Sequence, residues 1–158
     1  MRTDPAERIA CIGNRHGADL RQVEDFLLAL HTQQPSSILV SGGAAGVDSK
    51  AESTWFDLGG RVRSYRPAAW DDCFGVEVWN YGGSEESYVL PVEEQRVRLA
   101  DYRSAALYRD TLIAEDADRL VAFFRRGIVS ESGAAYTQSW ARDREIPTYT
   151  FQAKAVAA

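Results

Sequence analysis

The sequence predicts an α/β fold: a Rossmann-like open, mostly parallel sheet of about five strands flanked by helices, with an aromatic-rich insertion. Three observations predict it. Short apolar runs alternate with segments of helical periodicity, as in strand-helix-strand units. Loops of glycine, serine and asparagine follow those runs. The most apolar run, Leu120 to Phe124, reads as a strand buried on both faces, so it belongs in the centre of a parallel sheet.

Length and composition set the bounds. A chain of 158 residues reads as one domain spanning 1–158, long enough to bury a core. An apolar fraction of 45% and a charged fraction of 26% exclude a disordered chain. No apolar run approaches about 18 residues, and the amino terminus MRTDPAERIA lacks a hydrophobic centre, so a soluble, cytoplasmic protein without membrane association is expected. Cys11 and Cys73, with His16 and His31, make neither a metal spacing nor a disulfide framework; no metal and no obligatory cofactor are expected. The net charge of −5 argues against a protein that coats nucleic acid, because such binding needs an excess of cations over phosphate. Nucleic acid is therefore an unlikely partner by this criterion, while a single nucleotide stays allowed.

Taken in order, Arg8 to Ile12 forms the first strand, and Gly13-Asn14-Arg15-His16-Gly17 a turn-forming loop. Leu20, Val23, Phe26, Leu27 and Leu30 recur at helical spacing, with His31 at the helix end, where a cationic ring suits the dipole. Ile38 to Asp48, ILVSGGAAGVD, reads as strand, tight glycine turn and helix N-terminus. Residues without a Cβ let backbone approach a phosphate, and the first-turn amides point at it. Neither G-x-G-x-x-G nor the Walker spacing is present, so Gly42, Gly43 and Gly46 alone are equally those of an ordinary strand-helix connection. Asp48 suits either a helix cap or a ligand contact. Val47, Ala51, Trp55 and Leu58 mark the second helix, Gly59-Gly60 its stop, and Arg61 to Tyr65 a third strand.

Residues 67–98 break this rhythm with Trp70, Phe74, Trp79, Tyr81 and Tyr88 set among glycines and acids. Such a stretch reads as an insertion or lid whose rings cover a pocket, or as a subunit contact that would make a homodimer. Leu99 to Ile113 is helical in character, with Tyr102, Ala106, Arg109 and Ile113 on one stripe. An arginine on that stripe is either snorkelling or a ligand contact. The apolar strand at 120–124 leads into a second loop of small polar residues, with Glu131, Ser132, Gly133 and Ala134 opening the last helix, and Ile146 to Phe151 closes the sheet. The loops at Gly13-Asn14-Arg15, Ser41-Gly42-Gly43 and Ser132-Gly133-Ala134 each follow a strand and should share the sheet's carboxyl edge, where open α/β sheets bind ligands.

The set G-N-R after the first strand, S-G-G-A-A-G-V-D after the second, Arg109-Asp110 ahead of Ala117-Asp118, and S-G-A opening the last helix resembles the SLOG superfamily. That superfamily groups DprA/Smf proteins, LOG phosphoribohydrolases and YspA-like proteins; the likeness is nearest the YspA-like branch. The resemblance implies a Rossmann-like fold that binds nucleotides or their derivatives. It places Gly13, Asn14 and Arg15 close to the ligand and Ser41, Gly42, Gly43, Ala44, Gly46 and Val47 around its phosphate, with Ser132, Gly133 and Ala134. It puts Asp48 on ribose or on the turn itself, and makes Arg109 a ligand contact. Asp110 and Ala134 stand where the family pattern has asparagine and threonine. Thr137 stands where LOG hydrolases carry a glutamate.

Three functions are thus in view. The first is binding or sensing of an ADP-ribose-like or nucleoside monophosphate ligand. The second is a LOG-type N-glycosidic or phosphoribo-hydrolase, with Asp48 or Glu131 as the acid-base or nucleophilic carboxylate. The third is a DprA-like DNA-binding protein, which needs a basic groove and stacking rings.

Overall fold

The structure is a computed structural model that describes residues 5–69, 72–83, 88–91, 99–126 and 133–153. Its elements run β1 (Arg8–Gly13), α1 (Leu20–Gln33), β2 (Ile38–Ser41), α2 (Val47–Asp57), β3 (Arg61–Ala69), β4 (Phe74–Gly82), β5 (Tyr88–Pro91), α3 (Tyr102–Asp116), β6 (Arg119–Phe124), α4 (Gly133–Asp143) and β7 (Thr148–Gln152). Among the described residues these strands make one seven-stranded sheet in the order β5-β4-β3-β2-β1-β6-β7. The five strands read from the sequence form its parallel part, β3-β2-β1-β6-β7.

Each face of that part has its own core because side chains alternate along a strand. Ile9, Cys11, Leu39, Val62, Val121 and Phe123 face α1 and α2, meeting Val23, Leu27, Val47, Ala51 and Trp55. Ala10, Ile12, Val40, Leu120, Ala122 and Phe124 face α3 and α4, meeting Leu112, Ile113 and Ala141. Burial on both faces explains why these strands read as continuous apolar runs. Helix starts follow local chemistry: Asp19 caps α1 by accepting from the Arg21 and Gln22 amides, and Asp101 caps α3 by accepting from the Ser104 amide at 2.7 Å. No described helix is long and apolar enough to cross a membrane.

Two expectations need correction. The stretch 67–98 was expected as an insertion or lid, but its described part is sheet: β4 pairs antiparallel with β3 from Arg61↔Gly82 to Ala69↔Phe74, and β5 adds to β4. Val76 and Val78, buried in the α3/α4 core, alternate with polar and aromatic neighbours, which masked the strand. The buried arc of α3 is also rotated from the expected stripe: Ala105, Arg109, Leu112 and Ile113 are buried, while Tyr102 is 51% exposed. Those four recur at the i, i+4, i+7, i+8 spacing of a helix packed by one face.

Candidate functional site

The sheet order turns back at β1, whose neighbours β2 and β6 lead to opposite edges. In open α/β sheets the carboxyl ends of the strands at such a reversal are where a ligand crevice lies. Asn14 ties the crevice together. Its amide donates to the Phe123 carbonyl at 3.2 Å, its side-chain Oδ1 accepts from the Arg125 amide at 2.6 Å, and its carbonyl accepts from the Val47 amide at 3.3 Å. Gly13 permits this approach: a Cβ there would lie 2.3 Å from the Phe123 carbonyl oxygen and 2.5 Å from Val47 Cγ2. Gly46, at φ +84°, precedes α2, and a Cβ would fall 2.4 Å from the Arg15 carbonyl oxygen.

The crevice is a pocket of about 340 Å³. Of the site residues expected from sequence, Gly13, Asn14, Arg15, Ala44, Asp48, Arg109, Gly133 and Ala134 line it. The loops after β1 and β2 and the start of α4 thus share one rim. Ser41, Gly42, Gly43, Gly46 and Val47 do not line it, and Glu131 and Ser132 lie outside the described residues. Arg103, Asp110 and Thr137 also line it and were not proposed as contacts from sequence. Arg103 lies within the expected helix but off its stripe, and Asp110 and Thr137 stand out only as departures from a family pattern. A helical projection would have placed Arg103 and Asp110, seven residues apart, on one face beside that of Arg109.

The interior of the pocket is charged. Arg109, 7% exposed, donates through Nε to Asp110 Oδ1 at 2.7 Å and through Nη1 to the Gly42 carbonyl. Its guanidinium therefore fastens α3 to the glycine turn. Asp48, 5% exposed, accepts from the Ala44 amide through Oδ2 at 3.3 Å, while its Oδ1 has no hydrogen-bond partner. Burial pushes the Asp48 carboxyl up to about 7, with Arg109 pulling the other way. Burial likewise raises Asp110 to about 6 against the pull of Arg109. Thr137 Oγ1 donates to the Gly133 carbonyl at 3.0 Å within α4, and its hydroxyl also hydrogen-bonds the Asp110 carboxyl, where α4 meets this cluster.

The turn's amides differ from an open cradle. The Gly43 amide donates to Ser41 Oγ, Ala44 to Asp48 Oδ2 and Val47 to the Asn14 carbonyl, each at 3.3 Å. Asp48 thus satisfies the turn from inside, as a phosphate would from outside, and does so without capping α2 through its first amide. Contacts of 3.3 Å are at the long end for N–H···O bonds. The exposed side chains of Arg15 and Arg103 stand at the mouth.

No protein-family model and no curated protein matches the chain. Among solved structures it is similar to DNA processing protein A (DprA) from Streptococcus pneumoniae, at 16% identity and a TM-score of 0.63, covering 96% of this chain and 52% of that one. It is also similar to DNA processing protein A from Helicobacter pylori, described for its unique single-stranded DNA binding mode, at 14% identity and a TM-score of 0.60, covering 96% of this chain and 68% of that one. The chain spans about half the length of the pneumococcal protein. The shared feature is the fold, which is DprA-like and Rossmann-like, the fold implied by the SLOG resemblance. One expectation is overturned: net acidity was taken to make nucleic acid an unlikely partner, yet a protein of this fold is described by its single-stranded DNA binding. Net charge sums the whole surface, whereas a strand meets only local cations.

Proposed function

We propose that the chain binds single-stranded nucleic acid, seating a phosphate at the mouth of the pocket beneath the loops after β1 and β2 and the first turn of α4. The observation that carries this reading is the pair of exposed arginines, Arg15 and Arg103, over a pocket at the sheet's switch point. The fold likeness to a protein described for single-stranded DNA binding supports it. Arg109 serves from behind: paired to Asp110 and the Gly42 carbonyl, it holds the turn against α3 and offsets the buried carboxylates. Within the SLOG superfamily the motif order favours a place near the YspA-like branch, in the cytoplasm. Thr137 in place of a glutamate favours binding without turnover.

A second reading has its own support. Asp48 Oδ1 is buried and unpartnered beside a pocket of mononucleotide scale, which suits the hydroxyl of an ADP-ribose-like or nucleoside monophosphate ligand. Fluorescence anisotropy of a labelled oligothymidine separates the two. On the first reading affinity falls with salt, and Arg15→Gln or Arg103→Gln each lower the log-log slope by about 0.7, the contribution of one phosphate contact on a single strand. Thermal stabilisation by AMP or ADP-ribose without strand binding selects the second reading. Absence of both responses defeats both.

A further inference from the structure

On the far side of the glycine turn a second cleft, of about 230 Å³, is lined by Gly43, Ser49, Glu52, Phe56, Arg66 and Tyr81. The start of α2 is the wall between the two: Ala44 and Asp48 line the first pocket, Gly43 and Ser49 the second. Glu52 organises this cleft from beneath. It is buried and accepts from Ser41 Oγ at 2.8 Å, Ser64 Oγ at 2.9 Å, Arg66 Nη2 at 3.0 Å and the Tyr81 hydroxyl. With both oxygens engaged, Glu52 is a positioning residue that fixes its neighbours.

Arg66 is held from three sides. Besides Glu52, its Nε donates to Ser64 Oγ at 3.0 Å and its guanidinium lies 4.9 Å from the centroid of the Trp79 ring. Its side chain nonetheless stays 37% exposed. Gly43 makes room for it: at φ +68° a Cβ would come within 2.7 Å of Arg66 Cγ and Nε. Next to this guanidinium, Phe56 is 48% exposed and braced by Tyr81, with ring centroids 5.7 Å apart and planes at 48°.

A fixed, half-exposed guanidinium beside an open aromatic face matches the two parts of a nucleotide, a phosphate and a base. We propose that this cleft is a second nucleotide subsite: Phe56 stacks on a base and Arg66 takes the adjoining phosphate of a strand that crosses the glycine turn from the first pocket. The proposal rests on the strand-binding reading above.

The test is a titration of labelled oligothymidine and of an abasic strand of the same length against the wild type, Phe56→Ala, Phe56→Tyr and Arg66→Gln. Phe56 lies at the surface, so its truncation spares the fold. Phe56→Ala should weaken oligothymidine binding about 5- to 100-fold, the range of one lost base stack, and leave abasic-strand affinity unchanged. Phe56→Tyr should bind as the wild type does. Arg66→Gln should lower the salt slope on both strands by about 0.7. Wild-type affinity for oligothymidine in Phe56→Ala, or equal losses on the two strands, overturns the second subsite while the first pocket's reading stands. A wild type that binds no strand overturns both.

Discussion

Asp48 is held by two demands that a single carboxylate cannot both meet. One oxygen completes the turn at Ala44, and the other is buried without a partner. Its carboxyl, near 3.9 in an unfolded chain, is pushed up to about 7 by burial. Asp48 therefore contributes stability that is fully present below about pH 4 and is lost as pH rises toward 7. Asp48→Asn cannot ionise and retains an acceptor for the Ala44 amide. It should be more stable than the wild type at pH 8 by up to about 4 kcal/mol, the difference vanishing near pH 4. Paired urea melts across that range check this, and a difference independent of pH would contradict it. Gly46→Ala should cost about 1–3 kcal/mol or more in the same assay, since it combines a left-handed backbone with a clash on the Arg15 carbonyl. The glycines of the turn were legible in the sequence because a missing side chain leaves a mark there. The divided role of Asp48 was not, because its partner is a backbone amide that only the folded turn brings into reach. Arg109 lay between: its oddity on an apolar stripe was visible, its grip on the Gly42 carbonyl was not.

Among the elements, α3 does the most joining. At its carboxyl end Asp116 gathers Arg8 of β1 and, from β3, Arg63 Nη1 at 3.1 Å and the Tyr65 hydroxyl at 2.9 Å. At mid-helix Arg109 grips the glycine turn. The helix thus spans the sheet from its amino to its carboxyl edge and sets the pocket's inner wall. Asp116→Ala would leave partly buried cations without their anion, and a loss of about 3–5 kcal/mol is expected. Asp116→Asn, which keeps an acceptor, should lose less. Urea midpoints for the two variants check the order, and equal losses would mean that the charge of Asp116 alone, and not its hydrogen-bond acceptors, joins the strands. The five parallel strands were readable because burial on both faces leaves unbroken apolar runs. β4 was not, because only Val76 and Val78 mark its buried side and aromatics, glycines, an asparagine and Glu77 fill the rest. The strand matters beyond the count: β4 supplies Trp79, which packs on Arg66, and Tyr81, which donates to the Glu52 carboxylate that holds Arg66.

At the scale of the molecule, the parallel arrangement of the strands was legible because sheet topology follows from the alternation of strands and helices, and topology dictates which strand ends are neighbours. The placement of charge was not legible, since a sum of charges says nothing of where they lie. The chain is acidic overall, yet Arg15 and Arg103 stand at one pocket and Arg66 at the next, with the glycine turn between them. The most direct test of strand binding along this edge is an anisotropy titration of the wild-type protein with labelled oligothymidine between about 50 and 200 mM salt. The account predicts saturable binding whose affinity falls as salt rises, with a smaller slope in Arg15→Gln and Arg103→Gln. An absence of binding at the lowest salt, or binding indifferent to salt and to both arginines, would contradict it.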